Sequence, residues 1–252
     1  MKLLLIAGHG NGDPGAMSVI DGISYREAKE TRAVVAALRG ALDGYNGLEV
    51  VTYPETKNAF EDGQAGSMAQ QIYFTGFDLV IEIHFNSAAK DLRGDGRTAG
   101  IECFVPVSES DTTLETAICE NIAALGLRNR GVKKYNWAVI NRARKAGCHT
   151  CLLEVCFIDD KDDMKLYLAK KTEIAQAIAR AVGETYHLEM EDEDNMKRYN
   201  SMAEIPAWGQ ESVKKLVLAG KLRGKGAPKD AQGYPTDMDL SEDMLRLIVM
   251  LS

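Results

Sequence analysis

One apolar stretch carries polar side chains that a core β-strand does not normally tolerate. Between Asp78 and Ser87 the apolar residues indicate a buried strand, and Glu82, His84 and Asn86 alternate with them, so these three share one face near its C-terminal end. Burying even a neutral polar group without a partner costs roughly 2 to 7 kcal/mol. A metal ion, a charged partner or an open cleft would compensate, and α/β sheets bind ligands at the C-terminal ends of their strands. The stretch therefore predicts a site at a sheet edge, with a satisfied core histidine as the alternative for His84.

Length and composition limit the classes of protein to consider. The 252 residues are 45% hydrophobic and 27% charged, which is ordinary for a globular protein with room for one large and one small domain. The net charge of -7 argues against a nucleic-acid partner. The apolar run that ends at Gly8 is too short for a signal peptide, and no later run approaches ~20 residues. We therefore expect no membrane partner and synthesis in the cytoplasm.

Strands and helices are predicted to alternate along most of the chain. The predicted strands are Lys2–Ala7, Leu48–Tyr53, Asp78–Ser87, Ile101–Val107, Ala138–Asn141 and His149–Asp159. The predicted helices are Tyr25–Leu42, Gly66–Tyr73, Thr113–Leu125 and a helical region over Asp162–His187, while 8–16 and 129–137 are predicted as loops. This order predicts an α/β fold with a largely parallel, twisted sheet flanked by helices.

A change of composition marks the end of the first domain. Five acids occur within Glu189–Asp194, which favours a linker over 189–197 between a domain at 1–188 and a small all-helical module at 198–252. In the module, Ser201 and Glu204 have the spacing of a capping box, and Ser241 is predicted to cap a final helix.

Four residues in the first domain combine the side chains of a hydrolytic metal site. His9 follows the first strand, Glu27 begins a helix, His84 lies on the anomalous strand, and Glu154 interrupts an apolar strand. Three nitrogen or oxygen ligands with an open position are typical of catalytic zinc, and a further carboxylate supplies the base for hydrolysis. Residue types alone do not decide between this site and ordinary structural roles, because the chain has no compact His-Glu-x-x-His motif.

Five blocks in order resemble one enzyme family. They are Gly8-His-Gly-x-Gly-Asp-x-Gly-Ala16, the helix-opening Glu27, Ile83-His-Phe-Asn-Ser87, Asn129-Arg-Gly-Val132 and Leu152-Leu-Glu-Val-Cys-Phe-Ile158. Over roughly residues 1–187 the chain resembles the zinc-dependent N-acetylmuramoyl-L-alanine amidases of the amidase-3 family, and among them the clostridial phage endolysins.

The resemblance implies a role for each matching residue. His9, Glu27 and His84 would bind one zinc ion, and Glu154 would be the catalytic carboxylate. Glu30 lies one helical turn after Glu27 and could also reach the metal, and Glu82 is a second rival. The substrate would be bacterial peptidoglycan, cut between the muramic acid lactyl group and L-alanine. Further substrate-binding candidates are Asn86, Arg130, Tyr135 and Trp137.

Two alternatives stay open, and the C-terminal module adds a third question. The nearest enzymatic alternative is a zinc endopeptidase that cuts within the stem peptide, and an alternative of a different class is a wall-binding protein that has lost catalysis. The module contains Ile205-Pro-x-Trp208, Val213-Lys-Lys-Leu216 and Leu240-Ser-Glu-Asp-Met244. In these stretches it resembles small helical modules that follow such catalytic domains in phage lysins, which implies wall targeting, with self-association into a homo-oligomer as the competing role. A lysin without a signal peptide would act at the cell wall after release from the host cytoplasm.

Overall fold

The computed structural model divides the chain into two compact units, Met1–Met190 and Glu191–Ser252. It describes residues 1–64, 74–190, 198–223, 229–241, 244–245 and 248–249. Among these residues, no helix combines the length and the apolar character needed to cross a membrane.

The first unit contains most of the regular structure. Its elements are β1 (Lys2–Ala7), β2 (Met17–Ile20), β3 (Ile23–Arg26), α1 (Glu27–Leu42), β4 (Glu49–Thr52), α2 (Ala59–Gln64), β5 (Leu79–Asn86), β6 (Ile101–Val105), α3 (Thr113–Ala123), β7 (Asn129–Lys134), α4 (Ala138–Lys145), β8 (His149–Phe157), α5 (Lys161–Ala169) and α6 (Lys171–Thr185). The second unit contains β9 (Arg198–Tyr199), α7 (Ala207–Leu218) and β10 (Leu240–Ser241).

A six-stranded sheet in the order β4-β1-β5-β8-β6-β7 forms the centre of the first unit. Neighbouring strands are parallel except for β6, which runs antiparallel to β8. The predicted α/β fold with a largely parallel sheet is confirmed. Because β6 and β7 run opposite to the other strands, both begin at the edge where β1, β5 and β8 end. His84 pairs with Glu154 across β5 and β8, and Glu154 pairs with Glu102 on β6.

Apolar residues cover both faces of this sheet. On one face, alternate residues such as Leu5, Ile81 and Leu153 belong to a large buried cluster with residues of α1, α3 and α6. On the other face, Leu4 and Val80 belong to a smaller cluster with residues of α4. Side chains alternate along a strand, so Glu82, His84, Glu102 and Glu154 all project from this second face, beyond the smaller cluster.

A hairpin precedes the first helix and corrects its predicted start. The helix begins at Glu27 rather than Tyr25, because β2 and β3 pair antiparallel over Met17–Arg26. Asp21 and Gly22 both have positive φ, 50° and 79°. An Asp-Gly pair between alternating apolar residues is a strong signal for a two-residue hairpin turn, and the helical interpretation of Tyr25 overlooked it.

Two neighbouring predictions after α3 were wrong. The predicted loop at 129–137 contains the edge strand β7, and the predicted strand at Ala138–Asn141 is the beginning of α4. Val139, Ile140 and Ala143 are its buried residues. The four residues Ala138–Asn141, of which three are apolar, are too few to distinguish this helical spacing from a strand.

The second unit is not all-helical, because β9 and β10 form an antiparallel pair. The capping-box prediction was wrong: Glu204 accepts hydrogen bonds from Asn200 N and Ser201 Oγ, but α7 starts only at Ala207. Ser241 Oγ accepts a hydrogen bond from Met244 N at 3.2 Å, as an N-cap does.

The linker was predicted to begin too early. Asn46 N donates to Glu189 O at 2.9 Å, so the start of the acidic run is held by the first unit. The rest of that linker, at 191–197, and the helix predicted over 66–73 lie outside the described residues.

Asp163 joins the strands that carry the site. Its buried carboxylate accepts hydrogen bonds from Gly100 N at 3.0 Å and from Phe157 N at 2.8 Å, which are the residues before β6 and at the end of β8. We expect Asp163→Ala to lower the free energy of unfolding by about 3 kcal/mol, because two buried N–H groups lose their acceptor. Chemical denaturation measures this. Asp162→Ala is the matched control, since it removes only the bond to Gly96 N, and a similar loss in both variants would contradict the assignment.

Candidate metal centre

Three residues from separate elements converge at the sheet edge. His9 follows β1, Glu27 is the first residue of α1, and His84 lies near the end of β5. One ligand atom from each lies within 4.8 Å of the others. Glu27 bridges the pair, with Oε2 at 3.1 Å from His9 Nε2 and Oε1 at 2.9 Å from His84 Nδ1. This spacing brings together the three predicted ligands in a group that could hold a metal ion.

Two glycines allow this approach. A Cβ atom on Gly8 would lie 2.4 Å from the His84 ring. A Cβ atom on Gly15, whose φ is +66°, would lie 2.7 Å from Glu27 Oε2. The glycine-rich loop thus leaves room for the side chains of the cluster, as its composition indicated.

Carboxylates also contact the far nitrogen of each histidine ring. His9 Nδ1 is 2.7 Å from Asp13 Oδ2, and His84 Nε2 is 3.2 Å from Glu82 Oε1, although without the alignment of a hydrogen bond. A carboxylate behind a histidine is typical of metal sites, where it orients the ring and increases its basicity. The donor set therefore fits a zinc ion. Asp13 was missed in the sequence, although it lies four residues after His9 in the same loop.

Glu30 and Glu27 point to different neighbours. The Glu30 carboxylate accepts a hydrogen bond from Tyr167 Oη at 2.9 Å and lies 3.7 Å from Lys171 Nζ. It thus pairs with groups of α5 and α6, whereas Glu27 faces both histidines.

Electrostatics in the metal-free cluster favour an ionised Glu27. Its burial alone would raise the carboxyl pKa, but His84 and His9 outweigh burial and lower that pKa strongly. Burial likewise opposes protonation of His84, but the carboxylates of Glu27 and Glu82 hold its pKa well above the usual range. The cluster therefore attracts positive charge.

Glu154 differs from the other carboxylates of the site. Burial raises the pKa of its carboxyl group to about 7, although the nearby His84 charge acts in the opposite direction. Its Oε2 atom is buried and has no hydrogen-bond partner among the described residues. A carboxylate with a pKa near neutrality is suited to accept a proton and return it.

A second carboxylate network adjoins Glu154. Glu102 is 3% exposed, and it accepts hydrogen bonds from Asn86 Nδ2 at 2.6 Å, from Arg130 Nε at 2.6 Å and from Lys133 Nζ. Neither Glu102 nor Lys133 was predicted from the sequence as a site residue. The same signal that marked Glu82 and Glu154, a carboxylate within an apolar strand, was present for Glu102.

The four candidate substrate-binding residues are divided between two places. Asn86 and Arg130 meet at Glu102, next to Glu154. Tyr135 and Trp137 pack against each other with ring centroids 4.6 Å apart, and Trp137 contacts Phe104 at 6.0 Å. Because Phe104 lies further along β6 than Glu102, the aromatic pair borders the same sheet face away from the metal cluster.

A candidate metal centre at the edge of an α/β sheet, with a buried carboxylate of raised pKa beside it, is the arrangement expected of a metal-dependent hydrolase. Within that class, residues 3–184 match the family model described as Amidase_3, N-acetylmuramoyl-L-alanine amidase. The chain belongs to this family, and membership supports its assignment as a hydrolase of the peptidoglycan amidase type.

Similar proteins come from Clostridium perfringens, Clostridium difficile and Nostoc punctiforme. An uncharacterized protein of Clostridium perfringens is 28% identical over 247 residues, covering 96% of this chain, and the chain spans 66% of that relative's length. The N-acetylmuramoyl-L-alanine amidase of Clostridium difficile 630 aligns with a TM-score of 0.59 at 19% identity, over 74% of this chain and 96% of that one.

Two further structures share the fold. The amidase AmiC2 of Nostoc punctiforme has a TM-score of 0.58 at 21% identity, over 74% and 97% of the two chains. The catalytic domain of the CD27L endolysin targeting Clostridia difficile has a TM-score of 0.55 at 21% identity, over 73% and 97%.

The raised pKa of Glu154 makes stability depend on pH. The carboxyl pKa of Glu154 is about 7 in the folded protein and 4.5 in the unfolded chain. Ionisation of Glu154 therefore destabilises the fold: the loss is absent below pH 4.5, grows as the pH rises, and is complete above about pH 7. Glu154→Gln removes this destabilisation. We expect the free energy of unfolding of the metal-free variant, taken relative to the wild type, to be up to about 3 kcal/mol higher at about pH 8 than at about pH 4. Denaturation in the presence of a chelator measures this. Glu120→Gln on the exposed side of α3 is the control, and an equal pH effect in both variants would refute the prediction.

Proposed function

We propose that this chain is a zinc-dependent N-acetylmuramoyl-L-alanine amidase that hydrolyses the amide between the muramic acid lactyl group and L-alanine of bacterial peptidoglycan. One observation carries the proposal: the ligand atoms of His9, Glu27 and His84 lie within 4.8 Å of one another, and Glu154 pairs with His84 on the next strand. Family membership supports the substrate class.

His9, Glu27 and His84 would hold one zinc ion, which when bound polarises the amide carbonyl and increases the acidity of water. Asp13 and Glu82 orient the two histidine rings from behind. Glu154 accepts the proton of the attacking water at its unpartnered oxygen, and then delivers it to the leaving L-alanine nitrogen. The raised pKa of Glu154 is suited to both transfers, because neither protonation state is strongly favoured near neutral pH.

The substrate-binding candidates take different roles in this proposal. The Asn86 side chain donates a hydrogen bond from Nδ2 to Glu102, and its Oδ1 accepts one from Ser87 N. In this proposal Asn86 therefore orients neighbours of the substrate rather than binding the substrate directly. Arg130 reaches the substrate beside Glu154. Tyr135 and Trp137 are 54% and 42% exposed, and they offer stacking surfaces where the open sheet face ends.

Cell-wall lysis of the phage-endolysin type is the biological role that fits this activity. The related CD27L catalytic domain is described as part of an endolysin. The enzyme would be made in the bacterial cytoplasm and act on the wall after release.

Three variants test the chemistry together. We expect Glu154→Gln to bind zinc as the wild type does and to lose at least about a thousandfold in the rate of hydrolysis, because the proton acceptor is removed.

We expect Glu27→Gln to lose zinc, whereas Glu30→Gln retains it, because Glu30 faces Tyr167. Metal content after dialysis and hydrolysis of purified wall are the measurements.

Mass spectrometry of the digest separates the alternatives. New free lactyl carboxylates and N-terminal alanine identify an amidase, whereas cleaved cross-links with intact lactyl amides identify the endopeptidase. Zinc-loaded protein that binds wall but releases no product would identify a non-catalytic binding protein. Hydrolysis by Glu154→Gln at the wild-type rate would remove Glu154 from its role.

For the C-terminal unit we infer wall targeting, with self-association as the competing role. Its described residues include the exposed apolar side chains of Trp208 at 49% and Leu218 at 72%, which are available for contact with a wall polymer or with a second copy of the chain.

We expect a chain ending at residue 190 to cleave soluble muropeptides at the wild-type rate but to pellet with purified walls at least about tenfold less well. The cut follows the division between the compact units. Sedimentation velocity of the full chain is the second measurement. Unchanged wall binding, together with loss of an oligomer on truncation, would favour self-association instead.

A further inference from the structure

Two cationic side chains share one buried carboxylate beside the candidate centre. Arg130 and Lys133 both contact Glu102 Oε2, while Asn86 occupies Oε1. The side chain of Glu102 is 4% exposed, but those of Arg130 and Lys133 are 30% and 41% exposed. Among the described residues, neither cation forms an ion pair with a second carboxylate. The group therefore carries an excess positive charge that is open to solvent.

Aromatic rings hold both cations against the sheet. The Arg130 guanidinium lies 4.9 Å from the centre of the Phe157 ring, and Lys133 Nζ lies 5.7 Å from the centre of the Phe104 ring. These contacts limit the freedom of two long side chains, so a ligand loses less by ordering them.

The strand register fixes where this charge lies. Glu102 pairs directly with Glu154, so both project from the same face of the sheet. Phe104 and Lys133 are likewise register partners on β6 and β7. The cations thus lie beside Glu154, on the side opposite to His84. A substrate whose scissile amide meets Glu154 would extend one of its two arms across them.

We propose that Arg130 and Lys133 bind a carboxylate of the peptide arm of the substrate, and that Glu102 is the positioning residue that holds both cations for it. The proposal rests on the proposed function, which supplies the peptide. Arginine and lysine pair with carboxylates through charge-assisted hydrogen bonds, and Arg130 Nη2 has no hydrogen-bond partner among the described residues. The neutral glycan arm offers no such charge.

The test compares two soluble muropeptides that differ only at the glutamyl residue after L-alanine, which carries either a free carboxylate or its amide. We expect the wild type to favour the free acid by about tenfold in kcat/KM, mainly through KM. Arg130→Gln and Lys133→Gln should each reduce that preference severalfold, and Lys133→Arg should retain it. Lys134→Gln is the matched control, because Lys134 is the exposed neighbour on the same strand and its loss changes net charge equally.

Glu102→Gln tests the positioning role. We expect it to reduce the preference for the free acid as well, mainly through KM on the free-acid muropeptide, because Arg130 and Lys133 are then no longer held in place. Thermal unfolding shows whether this variant folds, and the exposed Lys133→Gln variant tests the proposal even where Glu102→Gln does not. A second measurement, independent of catalysis, is calorimetric binding of the released peptide to metal-free protein, where Lys133→Gln should raise Kd severalfold and Lys134→Gln should leave it unchanged.

Failure of the proposed function is distinguishable from failure of this inference. Equal kcat/KM for both muropeptides, or a preference that survives in Arg130→Gln and Lys133→Gln, overturns the cation site and leaves the amidase activity intact. No hydrolysis of either muropeptide by zinc-loaded wild type overturns the proposed function, and the calorimetric binding then decides the cation site alone.

Discussion

The compensation of negative charge at one sheet edge is the constraint on which the site depends. Glu27, Glu82 and Glu102 are each less than 6% exposed, and Glu154 lies between them. Neighbouring buried carboxylates cannot all ionise without nearby positive charge, because each raises the pKa of the others. The fold supplies that charge on two sides. His9 and His84 lie at one side, with pKa values raised towards protonation in the metal-free protein, and a cationic pair lies at the other. A divalent ion bound by His9, Glu27 and His84 would supply the positive charge that the two imidazolium protons provide in the metal-free protein. The charge balance therefore supports a metal ion at this cluster.

The direction of β6 allows Arg130 and Lys133 to lie beside Glu102. Had β6 run parallel to β8, its first residues would lie at the opposite edge of the sheet, and Glu102 could not pair with Glu154. The reversal also places the start of β7 at this edge, so Arg130 arrives beside Glu102. The bulge in each of the pairs β5–β8 and β6–β7 falls close to these residues, and bulges commonly adjust side-chain direction near functional sites. One antiparallel neighbour in an otherwise parallel sheet therefore determines the surroundings of the proton acceptor.

The sequence predicts the parts of this arrangement that depend on local pattern. Lys2–Ala7 was predicted with its observed bounds because a continuous apolar run ends in a glycine-rich loop. The residues around His84 and Glu154 were singled out because polar groups in apolar strands are costly. Local pattern could not give the antiparallel β6, since strand direction depends on contacts between distant segments. It also missed the role of Asp13, and it mistook α4 for a strand, because Ala138–Asn141 is too short to show a period. Glu102 is different: its signal was present and overlooked.

The hydrogen bonds of the four carboxylates explain why Glu154 is the one suited to proton transfer. Glu27 is occupied by both histidines and by Ala16 N and Phe85 N. Glu102 is occupied by Asn86 and the two cations. Glu82 faces the far nitrogen of His84. Protonation of Glu27 or Glu102 would remove the negative charge that their cationic partners pair with, which is unfavourable in a buried setting. A proton placed on the unpartnered oxygen of Glu154 displaces no hydrogen-bond donor, and burial, which the His84 charge offsets only in part, already favours the protonated form. The same packing that makes Glu154 costly to the fold thus makes it the least costly place to put a proton during the reaction.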